Sequence, residues 1–505
     1  MEEEKVDASA DDRPPSPVIT PREEKRKTRM ATEGTAFLLA QLRAQAQPQP
    51  TPSNVPVLPD PSGQSVPVVS TQQNAPLSSA PPHQSQLIHS SLHDDDDSSS
   101  KKPRLEETVV LVETTATVLK ERPVIDYDFT KEASLICTEA DSFADSTLDF
   151  KFSSKIRCNN YLKGCKWSPN GELLLTSAED RKTRTFRLHE NDQQLDLVSG
   201  VPQGDLIYDF CWHPDEGAMK YVTTTRDHPI HVWDAQTGER QATFRGINHL
   251  DELSSAQSLR FSLDGRKLYA GYNKQIRLFD FNRPGSTCQT IPTYVKGLDG
   301  QKSIVSCMAM NPMMDGVYAV ACYGPSIGLY SDRTMALDCL FGGHSGGITH
   351  MLFSNDGNFL FTGGRKDCDI TCWDLRFPGQ ALCRFQRTVD TNQRIYFDID
   401  AQNRYLVSGS SDGVFSVWDL SHIWTNSGEY VEPILQQRAH KSAVNGVSLH
   451  PTRAVMATSS GQRVFPIPMS DEDDSDDSEG YVRSDCPSKL DNSIKLWSFA
   501  SSKLL

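Results

Sequence analysis

The 505-residue chain has no apolar run of about 18 residues or more, so the sequence offers no candidate membrane span. It has no CxxC pair, and its 12 cysteines are scattered through a long chain, which suits small buried thiols in a reducing compartment rather than a disulfide framework. Cys368 and Cys372 lie four apart, but no Cys/His pair at ligand spacing answers them, so no metal site is expected. Neither a GxxxxGK(S/T) phosphate loop nor a strand-linked GxGxxG occurs, and no nucleotide or other cofactor is expected. The opening MEEEKVDASADD lacks the apolar core of a signal peptide, and the expectation is a soluble intracellular protein. Basic residues are in deficit too, with 51 Lys and Arg against 66 Asp and Glu, a formal charge of -15 that argues against nucleic-acid binding by bulk charge. That deficit is local. Glu2–Asp12, Asp94–Asp97 and Asp471–Glu479 hold 6, 4 and 7 acidic residues, whereas 156–463 balances 31 basic against 32 acidic.

Residues 1–125 read as a disordered Pro/Gln/Ser-rich and acidic tail, since 14 of the 30 prolines fall by Pro82 and too little apolar surface is present to offset the entropy of ordering. Within it, 32–46 could form a short amphipathic helix with Phe37, Leu38 and Leu42 on one side. Lys25-Arg26-Lys27 and Lys101-Lys102-Pro103-Arg104 are compatible with nuclear import signals, and Ser16 before Pro17 is a candidate phosphorylation site.

From about residue 126 to 501 one unit recurs: apolar run, turn, apolar run, polar loop, then an apolar run ending in an aromatic. The closing aromatics are Phe186, Trp233, Phe279, Tyr330, Trp373, Trp418 and Trp497. The fold class expected is therefore all-β, a seven-bladed WD40 propeller of four-stranded blades. The last interval is long because 422–434 reads as a linker and an acidic loop over 469–488 interrupts the last blade before its final strand. An N-terminal segment should supply the outer strand of that blade and close the ring, and 134–140 and 147–153 are the candidates.

His344, Thr362, Asp367 and Trp373 stand at the spacing of a structural hydrogen-bond tetrad. Asp180, Asp227 and Asp412, with Asn273 as a variant, recur six before other closing aromatics, as a turn-stabilising residue would and a unique catalytic centre would not. Function then belongs to the loops, and the protein is expected not to be an enzyme. The loops entering the inner strands and the loops between second and third strands emerge on one face. There they gather Lys163, Arg181, Lys182, Arg226, Lys274, Arg365, Lys366, Arg394 and Arg463 as candidate contacts to phosphates or bases, and Tyr272, Tyr323 and Tyr396 as candidate stacking groups. Such a face suits a bent RNA loop, an acidic peptide or mere solubility, and on the residues alone a protein-only scaffold stands ahead of RNA.

Longer strings shift that balance. YLKGCKW (161–167), DHPIHVWD (227–234), NHLDEL (248–253), GGHSGGITH (342–350), GGRKD (363–367), CWDLR (372–376), DTNQRIYFD (390–398) and ATSSGQRVFP (457–466) resemble the telomerase Cajal body protein 1 family over about 160–466. The resemblance implies a WD40 protein of the nucleus and Cajal body that recognises the CAB box of small Cajal body RNAs and of telomerase RNA. It implies association with box H/ACA ribonucleoprotein components including dyskerin, with the telomerase reverse transcriptase particle, and with Cajal body scaffold and ubiquitin ligase partners at double-strand breaks. Telomere association and a cytoplasmic pool are further implications. Seven carboxylates in the last blade would repel phosphate unless their loop leaves by the other face.

Overall fold

A computed structural model describes residues 123–139, 160–189, 194–423, 430–463 and 491–499. Ser16, the 32–46 segment, both basic clusters, the 147–153 strand candidate, the acidic loop and most of the expected tail lie outside the described residues.

The second strand of most repeats is apolar or small at every position and buried on both faces, as in Leu173–Ala178, Val317–Cys322, Phe359–Gly364 and Val455–Ser460. Burial on both faces requires a neighbour on each side, and radial stacking of sheets supplies it. Outer strands such as Leu195–Pro202 and Arg240–Phe244 mix exposed and buried positions because they edge the disc. Seven sheets result, each with four antiparallel strands, and neighbouring blades meet in unbroken order around a ring, a seven-bladed β-propeller.

Ring closure uses the first of the two candidates. Ser134–Glu139 pairs antiparallel with Ile494–Ser498 and becomes the outer strand of blade 7. Just upstream, Phe129 is buried with its ring 4.6 Å from that of Tyr405 and 4.7 Å from that of Phe499, so the chain's described beginning is packed against both blade 6 and its end. A repeated joint ties adjacent blades: the ring of His213 meets the Gly265 carbonyl, Asn311 donates to that of Gly357, and the ring of His450 meets that of Gly171 across the closure.

The stretch read as a linker is only partly one. Tyr430–Val431 pairs parallel with the outer strand of blade 5, giving that sheet a fifth strand and covering its edge. Two residues carry too little periodic signal to be legible beforehand.

Candidate nucleic-acid interface on the upper face

The His344 tetrad forms. The His344 ring bonds through Nδ1 to Asp367 Oδ2 at 2.9 Å and through Nε2 to Thr362 Oγ1 at 2.6 Å, and Trp373 Nε1 donates to the same Oγ1 at 2.7 Å. Burial would raise the Asp367 carboxyl, but the hydrogen bond and charge of His344 outweigh it and hold the group at about 2. Blade 7 holds a second tetrad that the repeat reading missed. His440 Nε2 lies 2.8 Å from Thr458 Oγ1, Trp497 Nε1 donates to that oxygen at 2.9 Å, and Asp491 Oδ2 lies 3.4 Å from His440 Nδ1. Asp491 is six before Trp497, but the acidic insertion removes it from Thr458 in sequence and hides the spacing.

Two of the three aspartates at equivalent turns brace them, whereas the exposed carboxylate of Asp227 faces Arg226 at 3.9 Å. Asp180 Oδ1 accepts from the Lys182 amide at 3.1 Å and Asp412 Oδ1 from that of Val414 at 3.1 Å. Among the described residues no group of three or more His, Cys, Asp or Glu could hold a metal ion.

Of the twelve candidate contact residues, three leave the face. Tyr272 is 3% exposed, with Arg277 over its ring, and belongs to the core. Tyr396 is 5% exposed and packs edge-on to His350 in the channel wall. Arg394 enters the central channel, where Nη1 lies 2.9 Å from Asp209 Oδ1 and Nη2 donates to the Ser306 carbonyl at 2.8 Å. Tyr272 ends a second strand, Lys267–Tyr272, buried from Leu268 on, whereas Arg394 and Tyr396 lie just before the inner strand Phe397–Ile399, close to the ring's centre.

The remaining cations divide into two sectors. At blades 7, 1 and 2 they face carboxylates: Lys163 and Arg463 both approach the buried Glu179, at 2.9 and 3.5 Å, while Arg181 and Arg226 share Asp205, at 3.6 and 3.1 Å. Asp205 is held below the usual carboxylate range: burial opposes this, but the Leu206 amide and the two guanidinium groups prevail. Lys182 is exposed there without an ion pair among the described residues.

At blades 3 to 5 the cations meet aromatic rings. Arg365 lies over the Tyr323 ring at 3.5 Å, and its Nε has no hydrogen-bond partner among the described residues. Lys274 and Lys302 place Nζ 5.9 and 5.3 Å from the centre of the Tyr294 ring. Lys366 projects into solvent, and no carboxylate pairs with these four cations among the described residues. Lys274 and Lys366 hold φ of 58° and 45°, left-handed backbone that an ordinary side chain adopts only under local constraint.

Backbone contacts join the two ring sites into one ledge. The Lys274 amide donates to Ser303 O at 3.4 Å, the Tyr323 amide to Ile304 O at 3.0 Å, and the Arg365 amide to Gly347 O at 2.9 Å. Glycine is required at 346 and 347, because a Cβ would strike the Arg365 carbonyl from the first and the Tyr323 carbonyl from the second. Tyr294 and Lys302, absent from the sequence candidates, sit in the loop entering blade 4, whose one legible signal was TYVKGLDGQK, basic and aromatic in a turn-rich stretch. Two half-buried tyrosines, Tyr294 with two lysines near its ring and Tyr323 with Arg365 over one face, can stack unpaired bases while the cations meet phosphate.

Residues 337–374 match the family model described as WD domain, G-beta repeat. Telomerase Cajal body protein 1 of Mus musculus is 41% identical over 403 residues, covering 76% of this chain and 74% of that protein. The protein of that name from Homo sapiens is 43% identical over 354 residues, covering 67% and 64%. The Drosophila melanogaster homolog is 34% identical over 339 residues, covering 62% and 59%, so the chain spans about three-quarters of the mouse relative and less than two thirds of the other two.

Proposed function

The chain belongs to the telomerase Cajal body protein 1 family, and from that premise we propose that it is a non-enzymatic, RNA-binding targeting subunit of box H/ACA small Cajal body ribonucleoproteins and of telomerase. It takes the CAB-box loop on the blade 3 to 5 ledge and directs the particle to Cajal bodies in the nucleus. Dyskerin, the telomerase reverse transcriptase particle and, at double-strand breaks, ubiquitin ligases are its proposed partners; telomeres and a cytoplasmic pool are its further proposed locations. The domain division that goes with this reading is a tail over 1–125 and a propeller over 126–501 with the 469–488 loop outside its core.

One observation carries the reading: Tyr294 with Lys274 and Lys302, and Tyr323 with Arg365, stand on loops joined by backbone hydrogen bonds, and among the described residues none of these cations pairs with a carboxylate. Double-stranded RNA would need contacts along a shallow groove, whereas two ring shelves suit splayed bases of a loop. The test is equilibrium binding of the full chain to a CAB-box hairpin and to the same hairpin with the box scrambled, at physiological salt. At least tenfold preference, about 1.4 kcal/mol, supports the reading. Equal and strongly salt-dependent binding would reduce it to phosphate attraction, and no binding to either would leave a protein-only scaffold.

A further inference from the structure

The NHLDEL string at 248–253 lies between blades 2 and 3 and takes no part in the ledge. It is a small hairpin held closed by one residue. Asn248 Oδ1 accepts from the amides of Leu250 and Glu252 at 2.8 and 2.9 Å, its own amide donates to Glu252 O at 2.9 Å, and Nδ2 donates to Glu252 Oε2 at 3.0 Å. Below these bonds Ile247 and Leu253 form an antiparallel bridge, and the Ser254 amide donates to Gly246 O at 2.7 Å. The base is pinned as well: a Cβ at Gly246 would collide with Tyr272 and Arg277, so the hairpin sits directly on the blade 3 core. This gives the buried Tyr272 a purpose in place of RNA stacking.

What the hairpin displays does not suit its own fold. Ile247, Leu250 and Leu253 are 37%, 63% and 39% exposed, and Asp251 and Glu252 stand exposed among them. An unspecialised loop of this length would be polar and loosely held. Here apolar side chains are kept in water on a rigid frame, so a partner that covers them meets a surface whose ordering entropy is already spent. The two carboxylates repel phosphate, which disfavours RNA as the occupant and favours a surface of opposite charge.

We propose that the 247–253 hairpin is a docking finger for a protein component of the ribonucleoprotein, one that offers an apolar pocket rimmed by lysine or arginine. The proposal rests on the ribonucleoprotein reading above. The RNA loop binds the ledge and the protein component binds the finger on the neighbouring loop, so that the assembled particle is gripped at two points and naked RNA at one. Linking the two contacts raises the affinity for the particle above that for its RNA.

The experiment titrates full-length chain with a purified box H/ACA particle carrying its proteins, and with the same RNA stripped of protein. Leu250→Ser removes the most exposed apolar group, and Asp251→Asn with Glu252→Gln removes both charges while keeping the turn and the Asn248 contact. Each variant should weaken particle binding by about tenfold and leave the naked-RNA affinity within about twofold. Particle binding at the wild-type level in both variants would overturn the finger, as would an equal loss on naked RNA. If the wild-type chain binds neither particle nor RNA, the ribonucleoprotein reading fails and the finger proposal falls with it; wild-type binding with inert variants sinks the finger alone.

Discussion

Arg394 reaches across the central channel from the approach to blade 6 and sets its guanidinium 2.9 Å from the carboxylate of Asp209 in blade 2. Asp209 also accepts from the Leu259 amide at 2.9 Å, so one ion pair links blades 6, 2 and 3. Burial opposes ionisation of Asp209, but the charges of Arg394, Lys166 and Arg260 overcome it and hold the carboxyl below its usual range.

Breaking this pair should be costly. Asp209→Ala leaves Arg394 without its carboxylate and should lower unfolding free energy by about 3–5 kcal/mol; Arg394→Ala, after which Lys166 and Arg260 still face Asp209, should cost less, and the double variant should lose less than the sum. Urea midpoints with unchanged slopes would measure it. Retained stability with lost RNA affinity in Arg394→Ala would instead put this residue back on the RNA face.

Acid should weaken the fold in two steps. Burial first, then neighbouring cations, holds the His350 imidazole well below 6.5, and burial with Arg240 and His228 lowers His231 to about 4. Both stay neutral in the fold while the unfolded chain takes up protons, so stability is present above pH 6.5 and declines as pH falls below it, by up to about 1.4 kcal/mol per unit for each such histidine. A further loss follows between 3.8 and about 2 as Asp367 is protonated. Urea titrations from pH 8 to 4 check the first step; His231→Asn should flatten its slope, and a pH-independent midpoint over that range would refute it.

Thr458→Val should destabilise blade 7 by about 2–3 kcal/mol. Its hydroxyl accepts from Trp497 and bonds His440, and an isosteric methyl leaves both buried ring groups without that partner. Hydrogen exchange in Ile494–Ser498 would locate the loss in the final strand and its Ser134–Glu139 neighbour; protection equal to wild type there would show the tetrad to be dispensable.

The repeat could be read along the chain because each blade solves the same burial problem with the same alternation, and the seven closing aromatics mark it. Ring closure by 134–139 was legible as one of two candidates, and only pairing with Ile494–Ser498 separates them. The candidate site was legible as a face, and the sector proposed for it was not. Lys163 and Lys366 look alike in sequence; the difference is Glu179, which the fold brings to within 2.9 Å of Lys163 and not to Lys366. Arg394 carries no mark of the channel, because its partner Asp209 is 185 residues away. Tyr294 escaped notice since it lies in a long entering loop, outside the positions that the repeat fixes.

The sector assignment is tested most directly by photocrosslinking a CAB-box hairpin to the full chain and mapping the attached peptides by mass spectrometry. The account predicts crosslinks at Tyr294 and Tyr323, lost selectively when Lys274, Lys302 and Lys366 are changed to alanine. Crosslinks concentrated instead at Arg181, Arg226 or Arg463, and unaffected by those three changes, would contradict it.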